Sequence, residues 1–437
     1  MKQIITNLVL MALLLTGCTS EPEPIMPVNQ QDFSKSRIRS KEEATTLACS
    51  IKSQFMSDKS RASVRVESVD AILSNQSRSG LSDTLIYVVN FADNQGYALI
   101  SAPRCVEPIL AVTESGSLND SKSDIGVAQY VSAAKEYIGG KINLDSLTTP
   151  VIPSVPKQYS EWITDTLIYR EIPTKIDMKW GQESIYGKYC PKSLDWPYEG
   201  VTGCGPTAIA MVMSYFEYPQ SIVKSFDGSN ETINLNWTEI KKHSILCQNC
   251  HINYLGERIC YATKDAHDQI GLLMREIGER AGALYNKPYY TTENGETVVH
   301  YGTSTTVNGN RSALSYYGFN TTLYQNYSRA ISNFDESNVM IVFGTAHVFI
   351  VDGIYRLRSQ ITERIWEEFK IKPISEEIIS TTDIDLVHVN WGYDGRHNGM
   401  YNNGVFDMAN CKKLDDPKDQ MDVLKSYTFD CCLLVSR

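Results

Sequence analysis

Apolar positions along the chain change their spacing from one stretch to the next, and each spacing predicts a different element. Leu8 to Leu15 form one uninterrupted apolar run behind a single lysine. The run is too short to cross a bilayer, so it reads as the core of a signal peptide. Between Lys41 and Ser60, Ala44, Ala48, Ile51 and Phe55 recur at helical spacing. The pattern then shortens to strand length in Leu85–Phe91 and Tyr97–Ser101. Asp93, Asn94, Gln95 and Gly96 lie between these runs and predict a hairpin turn. Cys105–Val112 offers a further strand, which Pro108 assigns to a sheet edge because proline cannot donate to a ladder. A small α+β domain ending near Ser146 accounts for this half.

Thr148 to Lys175 breaks the pattern with Pro150, Pro153, Pro156 and Pro173 and offers Lys157, Arg170 and Lys175 to a protease. It reads as a linker. From Ile176 the chain turns rich in Trp, Gly, Tyr and Asn, and a second domain runs to Arg437. Within it, the charged insert Arg356–Asp385 is expected to protrude as a hairpin or a helix.

Composition narrows the class. At 437 residues, with 42% apolar and 21% charged residues, the chain has core material for two or three domains and is neither disordered, collagen-like nor a coiled coil. Its net charge of −10 and the lack of a basic stripe argue against nucleic acid as a partner. Eleven cysteines are too few and too scattered for a disulfide scaffold or one metal framework. One of them has a local context: Leu15-Thr16-Gly17-Cys18 looks like a bacterial lipobox, which would make Cys18 the lipidated first residue of the mature chain. The Pro-rich stretch after it suits a tether, and the lipid would be the only membrane anchor.

The sharpest chemical signal is GCGPTAIAMVMSYF, residues 203–216. Glycines flank Cys204, Pro206 suits a first helical turn, and a helix-forming apolar run follows. The Cys204 sulfur then lies at a helix N-terminus, where unpaired N–H groups and the dipole favour the thiolate nucleophile. A base must accompany it. His347 sits in an apolar run bounded by a turn, whereas His388 and Asn390 share one face of a strand. Spacing leaves two arrangements open, His347 oriented by Asn390, or His388 as the base. Gln182, upstream of the cysteine, has an amide able to donate to an oxyanion.

WGQ followed by YCP, then GCGPTAIAMVMSYF, AHVFIVDG and HVNWGYDGRHNGMY, in that order, resemble the streptopain family of bacterial cysteine peptidases. The upstream hairpin YVVNFADNQGYALISA and EPILAVTESGS resemble its inhibitory propeptide. The resemblance covers most of Val64 to Asp407. It implies an α+β, papain-like catalytic domain, with the cysteine on a helical part and the histidine and asparagine on an antiparallel β part. It makes Cys204 the nucleophile and His347 the general base and acid. Asn390 would orient the imidazole, Trp391 would shield the pair from water, and Gln182 would serve the oxyanion hole; His388 becomes a strand residue. It also implies a zymogen: signal peptide 1–17, tether 18–40, inhibitory propeptide 41–147, activation linker 148–175 and catalytic domain 176–437. No cofactor or metal is needed. The expected partners are protein or peptide substrates, the chain's own propeptide as inhibitor, and a membrane through the lipid alone. The expected location is the outer membrane or cell surface.

The match departs from the family at two places. Thr345-Ala346-His347-Val348 replaces the common Gly-His-Ala, and Tyr393 stands where the family's second Trp of NWGW would be. Two other functions fit parts of the sequence. A non-catalytic surface-binding protein would rest on Cys247-Gln248-Asn249-Cys250-His251, which matches a haem-attachment pattern but lies in a polar stretch. Cys247, Cys250 and Cys260 are better read as free or disulfide-bonded. A cysteine acyltransferase would use the same Cys204. Cys431 and Cys432 are read as a structural pair ending an apolar strand.

Overall fold

The computed structural model describes residues 38–55, 64–74, 84–118, 124–145, 159–192, 194, 200–247, 263–293, 296–344, 347–366, 375–407, 429 and 431–437. Helix α1 (Lys41–Phe55) opens on a reciprocal cap. Ser40 Oγ accepts from the Glu43 N–H at 3.2 Å, and the Glu43 carboxylate accepts from the Ser40 N–H at 2.7 Å. The face carrying Ala44, Ala48 and Ile51 is buried against an antiparallel meander of β1 (Val66–Leu73), β2 (Thr84–Phe91), β3 (Tyr97–Ser101) and β4 (Ile109–Thr113). The turn between β2 and β3 needs left-handed backbone at Asp93, Asn94 and Gly96 (φ 60°, 56° and 85°), and these residue types tolerate it. Helix α2 (Ile125–Asp145) closes this half.

The edge assignment for the fourth strand does not hold. Pro108 precedes β4, where its carbonyl accepts from the Ser101 N–H, so its missing donor costs the ladder nothing. β4 is an interior strand, joined on its far side to β14 (Gly399–Asn402) through Ala111↔Tyr401, Val112↔Met400 and Thr113↔Gly399. One eleven-stranded sheet therefore runs through both halves of the molecule.

The linker holds the second departure. Residues 159–172 form β5 (Tyr159–Ile172), paired antiparallel with a long strand of the catalytic half from Ile172↔Ile354 to Tyr159↔Trp366. The remaining catalytic strands are β6 (Ser221–Val223), β7 (Thr232–Asn234), β8 (Leu284–Glu293), β9 (Glu296–Ser304), β10 (Asn320–Tyr324), β11 (Val339–Phe343), β12 (Val348–Trp366), β13 (Ser375–Asn390), β14 and β15 (Cys431–Ser436). The charged insert is the outer part of the β12–β13 hairpin. β11 pairs with β12 only over Val348–Val351, which leaves that edge of β12 open from Ile354 outward, and β5 fills it. Cys431 and Cys432 open β15 rather than end a strand.

Helix α3 (Cys204–Phe216) packs Ile209, Met211 and Val212 into a catalytic-half core with Trp180, Ile270 and Leu273. A second core spans the junction: Tyr130 of α2 lies edge-on to Tyr401 at 4.8 Å and against Phe406 at 5.1 Å, beside Phe349 and Trp391. Each buried aromatic of this kind contributes about 1.5–3 kcal/mol. The N-terminal half is thus packed into the catalytic half, not tethered beside it.

Candidate active site

α3 begins at the cysteine because Gly203 takes φ 88°, and a Cβ there would stand 2.8 Å from Thr303 O. Gly205 is equally confined, since a Cβ would meet Thr305 Oγ1 and Asn310. The flanking glycines therefore let the strand β9 region approach closely and leave the thiol at the helix start. Cys204 shares a cleft of about 560 Å³ with Gln182, Tyr301, Thr303, His347, Tyr393 and Arg396. In this state burial pushes the thiol up from its ordinary 9.0, against the pull of the Val348, Gly205 and Cys204 backbone groups. The helix N-terminus alone does not yield a thiolate here.

His347 lies just before β12 and is 5% exposed. Its Nε2 is 2.8 Å from Trp391 O, and its Nδ1 is 3.2 Å from the Tyr393 hydroxyl, whose ring stacks on the imidazole at 4.7 Å. Burial drives its pKa down to about 4, with the Trp391 carbonyl opposing. Both ring nitrogens are engaged away from the sulfur, and the imidazole is neutral. The N-terminal half reaches the same group: Gly126 of α2 donates its N–H to Tyr393 Oη at 3.2 Å. A Cβ on Gly126 would stand 2.7 Å from His347 Cδ2 and from Trp391 Cε3. α2 begins directly on the histidine.

Asn390 is not placed as expected. Its Nδ2 donates to Met178 O at 2.8 Å and its Oδ1 accepts from the Gly392 N–H at 3.2 Å, so neither end of the amide reaches His347. The backbone carbonyl of Trp391 takes that position instead. The Trp391 ring is fully buried between Phe349 (4.6 Å) and Tyr401 (5.4 Å), with His347 at 6.1 Å, as a water-excluding neighbour requires. Gln182 lines the cleft, and its carbonyl accepts from the Thr202 N–H at 2.9 Å, tying its loop to the approach to Cys204.

His388 belongs to a separate buried cluster. Its Nδ1 is 2.6 Å from Asp352 Oδ1 and its Nε2 3.4 Å from Glu114 of the N-terminal half. Burial disfavours its charged form, but Asp352 and Glu114 outweigh it and raise the pKa to about 10. Asp352 Oδ2 in turn accepts from the Lys175 and Ile176 N–H groups at 3.2 and 2.7 Å. Glu114 also pairs with Lys179 at 2.7 Å. Asp124, Gly126 and the Tyr393 hydroxyl were not singled out by sequence. Asp124 carries the one local signal, a helix-capping residue type directly ahead of α2, and nothing local says what its carboxylate meets. Cys18, residues 148–158 of the linker, residues 248–251 of the haem-like motif and Cys260 lie outside the described residues.

A cysteine at a helix N-terminus and a histidine on the facing β part, with an N-terminal segment packed on the histidine, define a cysteine peptidase in its latent form. Residues 180–401 match the model of the peptidase C10 family, and residues 37–138 match that of the Spi protease inhibitor. The chain belongs to the peptidase C10 family and is a cysteine peptidase zymogen with its inhibitor segment in cis. Two solved structures are similar, both from Prevotella intermedia. A prointerpain A fragment carrying a cysteine-to-alanine mutation is 19% identical, with 84% of this chain and 98% of that chain covered at a TM-score of 0.46. Active wild-type interpain A is 19% identical, with 60% and 94% covered at a TM-score of 0.32. None of the curated protein sequences compared with the chain matches it.

Proposed function

We propose that the chain is the latent precursor of an exported, lipid-anchored endopeptidase in which Cys204 is the nucleophile and His347 the general base and acid. The observation that carries this reading is the shared cleft of Cys204 and His347, with both histidine nitrogens bonded elsewhere under Gly126. Removal of residues up to the linker frees Tyr393 from Gly126 and exposes the imidazole to water, which relieves the burial that holds it neutral. His347 then takes the Cys204 proton, and the thiolate attacks the peptide carbonyl. Gln182 and the Cys204 N–H receive the developing oxyanion. His347 returns the proton to the leaving amine, and a water activated by the same imidazole cleaves the acyl-enzyme. Trp391 shields from water only the side of the imidazole it packs beside, and the side that faced Gly126 opens to the cleft. The carbonyl of Trp391, rather than Asn390, is the group that orients the ring in the latent state. Cys18, in its lipobox, anchors the precursor by a lipid at the outer membrane or cell surface.

The test pairs the parent chain with Cys204→Ala and follows both by intact mass and by labelling with an epoxide thiol-protease inhibitor. Shortening of the parent alone, with the label on Cys204, is expected. No labelling of Cys204 even after tryptic trimming removes the assignment. For the anchor, Cys18→Ser should move the protein from the membrane to the soluble fraction, and an unchanged distribution refutes lipidation.

A further inference from the structure

Asp124 stands where a helix N-cap would stand, with its carbonyl accepting from Val127 and Ala128 of α2. Its carboxylate is directed across the junction instead. Oδ2 is 2.9 Å from His397 Nε2 and Oδ1 3.3 Å from Arg396 Nη2, and Asp124 is only 3% exposed. His397 is fully buried, and its other nitrogen meets the Tyr97 hydroxyl at 3.2 Å. Asp124 and Tyr97 both belong to the inhibitor segment, while Arg396 and His397 belong to the catalytic half. The inhibitor therefore seats one carboxylate between an arginine and a buried imidazole of the enzyme.

Arg396 brings the fork to the cleft, while His397 is fully buried. Asp124 and Arg396 line the cleft together with Cys204 and His347, and Gly126, two residues from Asp124, lies on the His347 ring. The other carboxylate of this loop, Asp394, is tucked against Gly181 on another wall. Asp394, Gly395 and His397 take φ of 54°, 80° and 64°, a loop shape that two non-glycine residues adopt at a cost in strain. Ties within the catalytic half hold that shape: Tyr401 Oη donates to His397 O at 2.6 Å, and the Trp391 N–H donates to Asn398 Oδ1 at 3.0 Å. The inhibitor segment adds to these ties: the His397 N–H donates to Ser115 O at 3.3 Å, Ser115 Oγ donates to Gly395 O at 3.2 Å and the Glu114 N–H donates to Asn398 O at 2.7 Å.

We propose that Arg396 and His397 form a carboxylate-binding subsite of the mature enzyme, occupied by Asp124 in the zymogen and by a substrate carboxylate after maturation. Its place follows from the chemistry. His347 must deliver its proton to the leaving amine, so the leaving-group side of a substrate runs past His347, in the cleft that Arg396 also lines. The ligand is a carboxylate within about three residues on the C-terminal side of the cut bond, from an acidic side chain or from a chain end. Arg pairs with a carboxylate through two parallel donors, which the neutral amide cannot match. The inference rests on the proposed roles of Cys204 and His347.

The experiment uses enzyme matured from the full chain and peptides differing only in Glu or Gln at each of the three positions after the cut bond, with a free or an amidated C-terminus. A Glu over Gln preference of about tenfold in kcat/KM at one position is expected, which corresponds to about 1.4 kcal/mol. Preference for the free over the amidated end would assign the fork to a chain terminus. Either ratio should fall toward one in Arg396→Met and be partly kept in Arg396→Lys. Equal cleavage of all members of the set overturns the subsite and leaves the peptidase intact. Failure to cleave any peptide overturns the assignments of Cys204 and His347, and the subsite with them.

Discussion

Gly126 lies so close to His347 that a methyl group at position 126 would stand 2.7 Å from the imidazole Cδ2. That separation is shorter than a van der Waals contact between carbons, so the inhibitor segment can seat itself only with glycine here. Gly126→Val is expected to force α2 off the histidine, at about 1–3 kcal/mol for an overpacked contact. The full chain should then shorten itself roughly tenfold faster. Intact mass against time reads the effect, and an unchanged rate would show that α2 does not enforce latency through this contact.

Tyr393 contributes its hydroxyl to both sides of the same contact, accepting from Gly126 N and meeting His347 Nδ1. Tyr393→Phe keeps the ring stack and deletes both bonds. A hydrogen bond contributes about 0.5–1.5 kcal/mol, so self-shortening should quicken by a few-fold. The same time course, run beside Gly126→Val, ranks the two contacts.

Asn390 bonds Met178 and Gly392, not His347. Asn390→Ala leaves a buried carbonyl and a buried N–H unpaired and should cost on the order of 3 kcal/mol of folding stability. His347→Ala should instead abolish cleavage with a smaller change in Tm. Calorimetry and peptide hydrolysis on both variants separate the roles; a normal Tm with lost activity for Asn390→Ala would restore it as the orienting residue.

His388 carries a raised pKa of about 10 against an ordinary 6.5. A raised folded-state pKa adds stability that is complete below the unfolded value and fades as the pH rises through the folded one. In the Cys204→Ala background, stability should therefore decline between pH 6.5 and about 10. His388→Gln should lower stability at pH 6 and flatten that decline. Urea midpoints across this range provide the check.

β5 withholds much of the linker from proteases, because a substrate backbone must be free of ladder bonds to enter a cleft. Arg170 pairs in register with Arg356, and Lys175 is held by Asp335 O, Asn338 O and the Asp352 carboxylate on its N–H. Trypsin should spare both positions in folded Cys204→Ala, and the trimmed product should retain Tyr159–Ile172. Peptide mapping that finds rapid cleavage at Arg170 would refute the pairing.

Local pattern carried much of this protein. The helix at Cys204 and the Asp93–Gly96 hairpin each follow from a spacing and a turn within a few residues of each other, and of the two forms expected of the charged insert the paired strands are those of a hairpin. What escaped depends on partners far along the chain. β4 becomes interior only because β14, some 290 residues later, pairs with it. Residues 159–172 read as linker among prolines until β12 supplies an open edge. Asn390 shares a face with His388 in sequence, but the choice of its hydrogen-bond partner belongs to Met178 on another segment. Tyr393 reads as a departure from the family pattern, and its hydroxyl gains meaning only beside Gly126.

The β4–β14 junction has a consequence for the mature enzyme. When the inhibitor segment departs, β14 loses its neighbour and becomes the rim of the catalytic sheet, with its outward N–H and C=O groups bare. Such rims recruit foreign strands, and proteins limit the hazard by keeping them short. β14 is four residues long and is followed at once by the Asn402 turn, whose side chain caps Gly404 N at 2.9 Å. The molecule is built to lose four of its eleven strands without leaving a sticky margin.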